Sequence, residues 1–174
     1  MIDPSDNVVV MGCFHSGTTI VAKMFQALGW KFPPEKHPVN MAHLEPYFLV
    51  EASDLIIKND YSEDSVTAAR VMLSKGLNSA ERPFIIKDPR LNYTLPYLYS
   101  VFPSNTVVCM TVRCVGSIMN SRSKRNGGFA KSIGNVHASE EMESGFESLC
   151  ACNMRKHVVV LDRLSKGKSE GNVE

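Results

Sequence analysis

Residues 8–30 read VVVMGCFHSGTTIVAKMFQALGW, and this stretch decides the fold that the sequence predicts. It begins with an apolar, β-branched run at residues 8–11, passes through a short loop with two glycines, and continues as an amphipathic segment from about Thr18. A short apolar run of this kind is typical of a strand buried on both faces. Gly12 and Gly17 permit a tight turn, and the backbone amides at a helix start can stabilise a phosphate group. The stretch therefore predicts a strand, a phosphate-binding loop and a helix in succession.

Three later runs have the character of the first strand, and they lie at residues 84–86, 106–112 and 157–161. Apolar residues with helical spacing lie between them. These are Ile20, Met24, Ala27 and Leu28, then Leu44, Phe48, Leu55 and Ile56, then Val115, Ile118 and Met119. The alternation predicts an α/β fold, a three-layer sandwich with a central parallel β-sheet of the P-loop NTPase-like type.

The length and composition favour a single globular domain. The chain has 174 residues, of which 44% are hydrophobic and 21% charged, with a formal net charge of +1. We expect one domain over residues 1–165, a disordered tail at 166–174, and a loop at 31–40, which contains three prolines. The composition excludes a disordered chain and a wholly basic nucleic-acid binder.

The five cysteines and the amino-terminal sequence indicate where the protein resides. The cysteines are odd in number and lack the spacing of a zinc site, which predicts reduced thiols and no metal. Neither a signal peptide nor a transmembrane segment is recognisable in the sequence, so we expect a cytoplasmic protein.

The positive charge is concentrated in the middle of the chain. Residues 86–135 contain seven Lys and Arg residues and one acid, Asp88, for a net charge of +6, whereas the segments on either side are net negative. This distribution favours a local anionic ligand, and the alternative is a solvated basic face.

The glycine loop partly matches the Walker pattern GxxxxGK[ST]. Gly12, Gly17 and Thr19 fit that pattern, but Thr18 occupies the position of its lysine. The difference weighs against an ATPase or a kinase. The alternative interpretation is an ordinary strand-to-helix turn in which Ser16 and Thr18 are helix caps.

The loop HSGTT, residues 15–19, resembles the 5'-phosphosulfate loop of the sulfotransferase superfamily, with His15 where the family has Lys or Arg. Arg113 follows a predicted strand, and Ser121 comes eight residues later, as in the family's site for the 3'-phosphate. A guanidinium group suits that role because it binds phosphate oxygens bidentately. The resemblance implies the cofactor 3'-phosphoadenosine 5'-phosphosulfate (PAPS), bound by Phe14, His15, Ser16, Gly17, Thr18, Thr19, Arg113 and Ser121.

Two further segments resemble the catalytic motifs of heparan-type and bacterial sulfotransferases. HLEPYF begins at His43 and KDPR begins at Lys87. The resemblance makes Glu45 the general base, with His43 as its rival, and has His15 and Lys87 stabilise the leaving phosphate. The alternatives are an exposed helix-start acid for Glu45, a structural ion pair with Asp88 or another carboxylate for Lys87, and a solvent-facing side chain for His15.

The expected activity is therefore in-line transfer of a sulfuryl group from PAPS to an acceptor hydroxyl or amine, without a metal. The expected partner is a small-molecule or carbohydrate acceptor, with no nucleic acid and no membrane span. Two alternatives stay open, a P-loop kinase of nucleotides or small molecules and a catalytically silent nucleotide-binding module. The sequence indicates neither the acceptor nor the oligomeric state.

Overall fold

The structure, a computed structural model, describes residues 2–34, 43–123 and 138–161. Its strands are β1 (Asn7–Gly12), β2 (Ile85–Lys87), β3 (Thr106–Val112) and β4 (Arg155–Val160). Its helices are α1 (Thr18–Ala27), α2 (Tyr47–Lys58), α3 (Glu63–Asn78), α4 (Leu91–Leu98), α5 (Val115–Ser123) and α6 (Ala138–Ala151). The elements alternate along the chain as the sequence predicts for an α/β fold.

The four strands form one parallel sheet in the order β2-β1-β3-β4. Val10 in the centre of β1 is aligned with Lys87 on one side and with Cys109 on the other. Because all strands are parallel, their carboxyl ends meet at one edge of the sheet. The chain reaches β2 on one side of β1 and β3 on the other, so the strand order reverses at β1. In open α/β sheets, ligands bind at such a switch point, beyond the carboxyl ends of the strands.

Helices cover both faces of the sheet. Alternate residues of the central strands, such as Val9 and Met110, point to a core shared with α2, α3, α4 and α6. The intervening residues, such as Val10, pack on the opposite face against Val21 and Ala22 of α1. These two cores confirm the three-layer P-loop NTPase-like architecture.

The buried face of α1 differs from the one that helical spacing suggests. Ile20, Met24 and Leu28 are 61%, 51% and 73% exposed, whereas Val21 and Ala22 are buried against the sheet. The spacing therefore locates the helix but not its buried face, because α1 carries apolar residues on more than one side.

Several segments of the sequence prediction have no counterpart that the structure describes. Residues 35–40 of the expected loop and the tail at 166–174 lie outside the described ranges. Leu44 has a φ of 57° and precedes α2 rather than belonging to it. Within the described parts of the chain, every helix is too short or too polar to cross a bilayer.

Candidate functional site

The loop between β1 and α1, residues 12–19, is shaped by residues with positive φ. Gly12 has a φ of 143° and Gly17 a φ of 97°, and the non-glycine residue His15 has a φ of 70°. A left-handed conformation at His15 costs roughly 1 kcal/mol, so the surrounding contacts must hold it there. Left-handed residues in a short loop turn successive amides toward one concave side, which suits an anion.

The start of α1 has backbone amides available for a ligand. Gly17 is the N-cap residue, and no side chain caps the helix. The amides of Gly17, Thr18 and Thr19 donate no hydrogen bond to any residue within 2–34, 43–123 and 138–161. The interpretation of Ser16 and Thr18 as helix caps is therefore wrong. These amides, together with the positive end of the helix dipole, are the groups in this loop that could hold an anion.

A pair of buried hydroxyls fixes the loop to β3. The Oγ of Ser16 lies 2.7 Å from the Oγ1 of Thr111, which donates to the carbonyl of Met11 at 3.2 Å. Since the single hydrogen of Thr111 is used for Met11, Ser16 donates to Thr111. A Cβ on Gly12 would lie 2.6 Å from the carbonyl oxygen of Thr111, so only glycine fits there. The Ser16 side chain thus supports the loop from β3, and the role of Ser16 in cofactor binding stays a prediction.

The amino end of α6 contacts the same loop. The amide of Phe14 donates to Oε2 of Glu141 at 3.2 Å, and the thiol of Cys13 donates to the carbonyl of Ala138 at 3.5 Å. Both Cys13 and Glu141 are buried. The loop is therefore held between β3 and α6.

The residues assigned as base and cation are paired with each other. Lys87 ends β2 and forms an ion pair with Glu45, with side-chain exposures of 4% and 21%. The amide of Lys87 also donates to the carbonyl of Leu44 at 3.0 Å. Lys87 thus forms an ion pair with a carboxylate, as its alternative interpretation expects, with Glu45 as the partner, and the catalytic roles of both residues stay predictions. His43, the rival base, is exposed.

Two acidic side chains form ion pairs with Arg90. Its Nε lies 2.7 Å from Oδ1 of Asp54 in α2, and its Nη1 lies 3.0 Å from Oδ1 of Asp88. Asp88 is fully buried, and its Oδ2 has no hydrogen-bond partner among the residues that the structure describes. Burial raises the pKa of Asp88, and the nearby charge of Arg90 opposes this change. Lys87 and Arg90 therefore carry part of the positive charge of residues 86–135. Their acidic partners, Glu45, Asp54 and Asp88, neutralise it.

Arg113 and Ser121 have the backbone positions that the sequence predicts. Arg113 directly follows β3, and Ser121 lies within α5. The side chain of Ser121 lies outside the described part of the structure. Arg113 lies at the carboxyl edge of the sheet, where β3 is the neighbour of β1. Its role in phosphate binding stays a prediction, as do the roles of Phe14, His15 and Thr19.

Sequence reasoning did not find several residues that organise this site. These are Asp54, Asp88, Arg90, Thr111 and Glu141. KDPR contains Asp88 and Arg90, but the resemblance assigns a role only to Lys87. Thr111 interrupts the apolar run of β3 near its carboxyl end, and this is a signal that the sequence contains. Glu141 lies among other acids, and no sequence feature distinguishes it from Glu140 or Glu143.

Comparison with known proteins shows no family-model match and no match among curated proteins. Similar solved structures include deoxyadenosine kinase from M. mycoides with bound dATP, at 16% identity and a TM-score of 0.48, covering 95% of this chain and 100% of that chain. They also include a sugar kinase from Janibacter sp. HTCC2649, at 20% identity and a TM-score of 0.49, covering 91% of this chain and 87% of that one. At this identity the likeness concerns the fold.

The comparisons do not support the expected sulfotransferase activity or its PAPS cofactor, and this expectation is corrected. The solved structures named above are kinases, and the nucleotides bound in those of deoxyadenosine kinase include dATP and dCTP. The physical reason for the error is that the HSGTT loop predicts a phosphate cradle and nothing more. Backbone amides bind a phosphate ester in the same way whether the enzyme moves a sulfuryl or a phosphoryl group.

Proposed function

We propose that this protein binds a nucleoside triphosphate at residues 12–19 and transfers its terminal phosphoryl group to a small-molecule hydroxyl. The observation that carries the proposal is the set of available amides at Gly17, Thr18 and Thr19. They lie at the start of α1, beyond the carboxyl end of β1, where the strand order reverses. An anionic ligand is favoured there by hydrogen bonds and by the helix dipole together.

A triphosphate in a P-loop is accompanied by Mg²⁺, and the residues present fit that ion. Thr19 occupies the position at which the Walker pattern has a hydroxyl that binds Mg²⁺. Asp88 follows the neighbouring strand, and its Oδ2 has no partner within the described residues. These two groups would hold the ion, which supplies neutralisation of the phosphate charge when it is bound.

Glu45 is the base of the proposed reaction. The acceptor oxygen attacks the terminal phosphorus, the bond to the bridging oxygen breaks, and a nucleoside diphosphate leaves. The acceptor hydroxyl loses its proton to the carboxylate of Glu45. Glu45 lies just before α2 and is 21% exposed, so a substrate can reach it, and Lys87 holds the carboxylate in position. The loop amides stabilise the charge that develops on the phosphate oxygens.

A second candidate is a catalytically silent nucleotide-binding module. Two observations favour it. Thr18 stands where the Walker pattern has its lysine, and the charge of Lys87 is neutralised by Glu45. Such a protein would bind the nucleotide through the same amides without transferring a phosphoryl group.

One experiment separates the candidates. Titration calorimetry with ATP and Mg²⁺ measures binding, and release of ADP is then followed with a panel of nucleosides, sugars and small alcohols. The proposal expects binding and acceptor-dependent ADP release, with kcat lowered about 100-fold in Glu45→Gln while the Kd for ATP changes little. Glu51→Gln, in the helix α2 that follows Glu45, is the control and should retain full activity. Binding without turnover by any acceptor supports the silent module, and absence of binding contradicts both candidates.

A further inference from the structure

Glu141 places a buried carboxylate against the phosphate loop. It belongs to the first turn of α6, it is 2% exposed, and its Oε2 accepts the hydrogen bond from the amide of Phe14 at 3.2 Å. A negative side chain beside a loop that binds an anion opposes the ligand electrostatically. Its presence there therefore calls for a structural reason.

The contacts around Glu141 fix it in place. The side-chain amide of Asn92 donates to the carbonyl oxygen of Glu141 at 3.2 Å, and Ser144 and Ser148 both donate to the carbonyl of Asn92. A Cβ on Gly145 would lie 2.9 Å from Oδ1 of Asn92, so α6 packs closely on α4 at this glycine. The first turn of α6 is thus set by buried hydrogen bonds and cannot shift freely.

The helix end and the loop both compensate the buried carboxylate. The first turn of a helix carries partial positive charge, which favours an acid at that position. The amide of Phe14 supplies a hydrogen bond to the same group. A hydrogen bond to a charged acceptor is stronger than one between neutral groups, so it can offset the cost of a left-handed residue such as His15.

We infer that Glu141 is the positioning residue of the phosphate loop. Its carboxylate holds the Phe14 amide, and this hydrogen bond maintains the left-handed turn at the next residue, His15, so that the amides of Gly17 and Thr18 stay directed at the ligand. The consequence for ligand affinity rests on the proposed function. The consequence for the loop itself does not, because it concerns the unliganded protein.

Two variants of Glu141 and one control separate an acceptor role from a merely structural one. Glu141→Gln retains a hydrogen-bond acceptor, and Glu141→Met has similar volume without one. Glu143→Gln changes an exposed acid in the same helix. Protein labelled with ¹⁵N at its eight phenylalanines reports hydrogen exchange of the Phe14 amide directly. Exchange should be about tenfold faster in Glu141→Met, and within about threefold of wild type in Glu141→Gln. Glu143→Gln should leave it unchanged.

The same proteins are titrated with inorganic triphosphate as the probe. The Kd should rise about tenfold in Glu141→Met and change less than about threefold in Glu141→Gln. Equal exchange of the Phe14 amide in wild type and Glu141→Met would overturn the inference, as would a Glu141→Gln variant as impaired as Glu141→Met. If Glu141→Met does not fold, rapid exchange of this amide in wild type is the contradicting result. A wild-type protein that binds no triphosphate but shows the exchange difference removes the proposed function and leaves the loop contact standing.

Discussion

Two regions at the carboxyl edge of the sheet present their polar groups in opposite ways. The loop at residues 12–19 offers backbone amides and is supported by neutral hydroxyls and by Glu141. The neighbouring ion-pair cluster, defined as Glu45, Asp54, Lys87, Asp88 and Arg90, directs its charges at one another. This difference shows that the positive charge of residues 86–135 does not by itself predict where an anion binds. The amides available for an anion carry no formal charge, and they are invisible in a count of Lys and Arg.

The largest predicted effect on stability comes from a substitution in the loop at residues 12–19. Gly12→Ala should lower the free energy of unfolding by about 4 kcal/mol, because it adds a collision with the backbone of Thr111 to an unfavourable φ. Urea unfolding measures the change. Gly29→Ala is the control, since Gly29 also has a positive φ of 111° but has no atom within 4 Å of its added Cβ. It should cost only about 1 kcal/mol. Equal costs for the two variants would show that Thr111 does not confine the loop.

A smaller effect, dependent on pH, is expected from the cluster. Arg90→Met removes the charge that opposes the rise in the pKa of Asp88. An acid whose pKa is raised in the folded state favours folding below its unfolded pKa, and this contribution is lost as the pH rises through the folded value. Without Arg90 the folded pKa of Asp88 moves higher still. The loss of stability should therefore be small near pH 4 and grow to about 3 kcal/mol near pH 7.

Unfolding midpoints measured across this range check the sign. Thr111→Val provides the comparison from the loop side, because it removes a neutral hydrogen bond with Ser16. Its cost should be about 1 to 2 kcal/mol and should not depend on pH. A deficit of Arg90→Met that stays constant from pH 4 to pH 7 would contradict a charged Asp88 at neutral pH.

The strands show how far sequence alone leads. β1 and β4 both contain three consecutive valines, and both are predicted as strands. β1 is buried at every position, whereas Val158 and Val160 of β4 are 48% and 42% exposed. The apolar run identifies each strand, but its place in the sheet depends on the order β2-β1-β3-β4, which is set by long-range packing. The same limit explains why the spacing of Ile20, Met24 and Leu28 located α1 and missed its buried face.

The parts of the candidate site also differ in how far the sequence predicts them. The loop is local in sequence, so its glycines and the helix that follows are readable from residues 8–30. The partner of Lys87 is 42 positions away and the partner of Phe14 is 127 positions away, and no local pattern reveals either contact. The predicted sulfotransferase chemistry was wrong for a related reason. A phosphate loop is defined by local backbone shape, whereas the group transferred depends on side chains brought together by the whole fold.

The central claim is that the backbone amides of the loop, rather than the ion-pair cluster, bind nucleotide phosphate. A titration of ¹⁵N-labelled protein with ATP and Mg²⁺, followed by amide chemical shifts, tests it most directly. We expect saturable chemical-shift changes that are largest at Gly17, Thr18 and Thr19, with much smaller changes at Glu45 and Lys87. Shifts centred on Glu45 and Lys87, or none at the three loop amides, would contradict it.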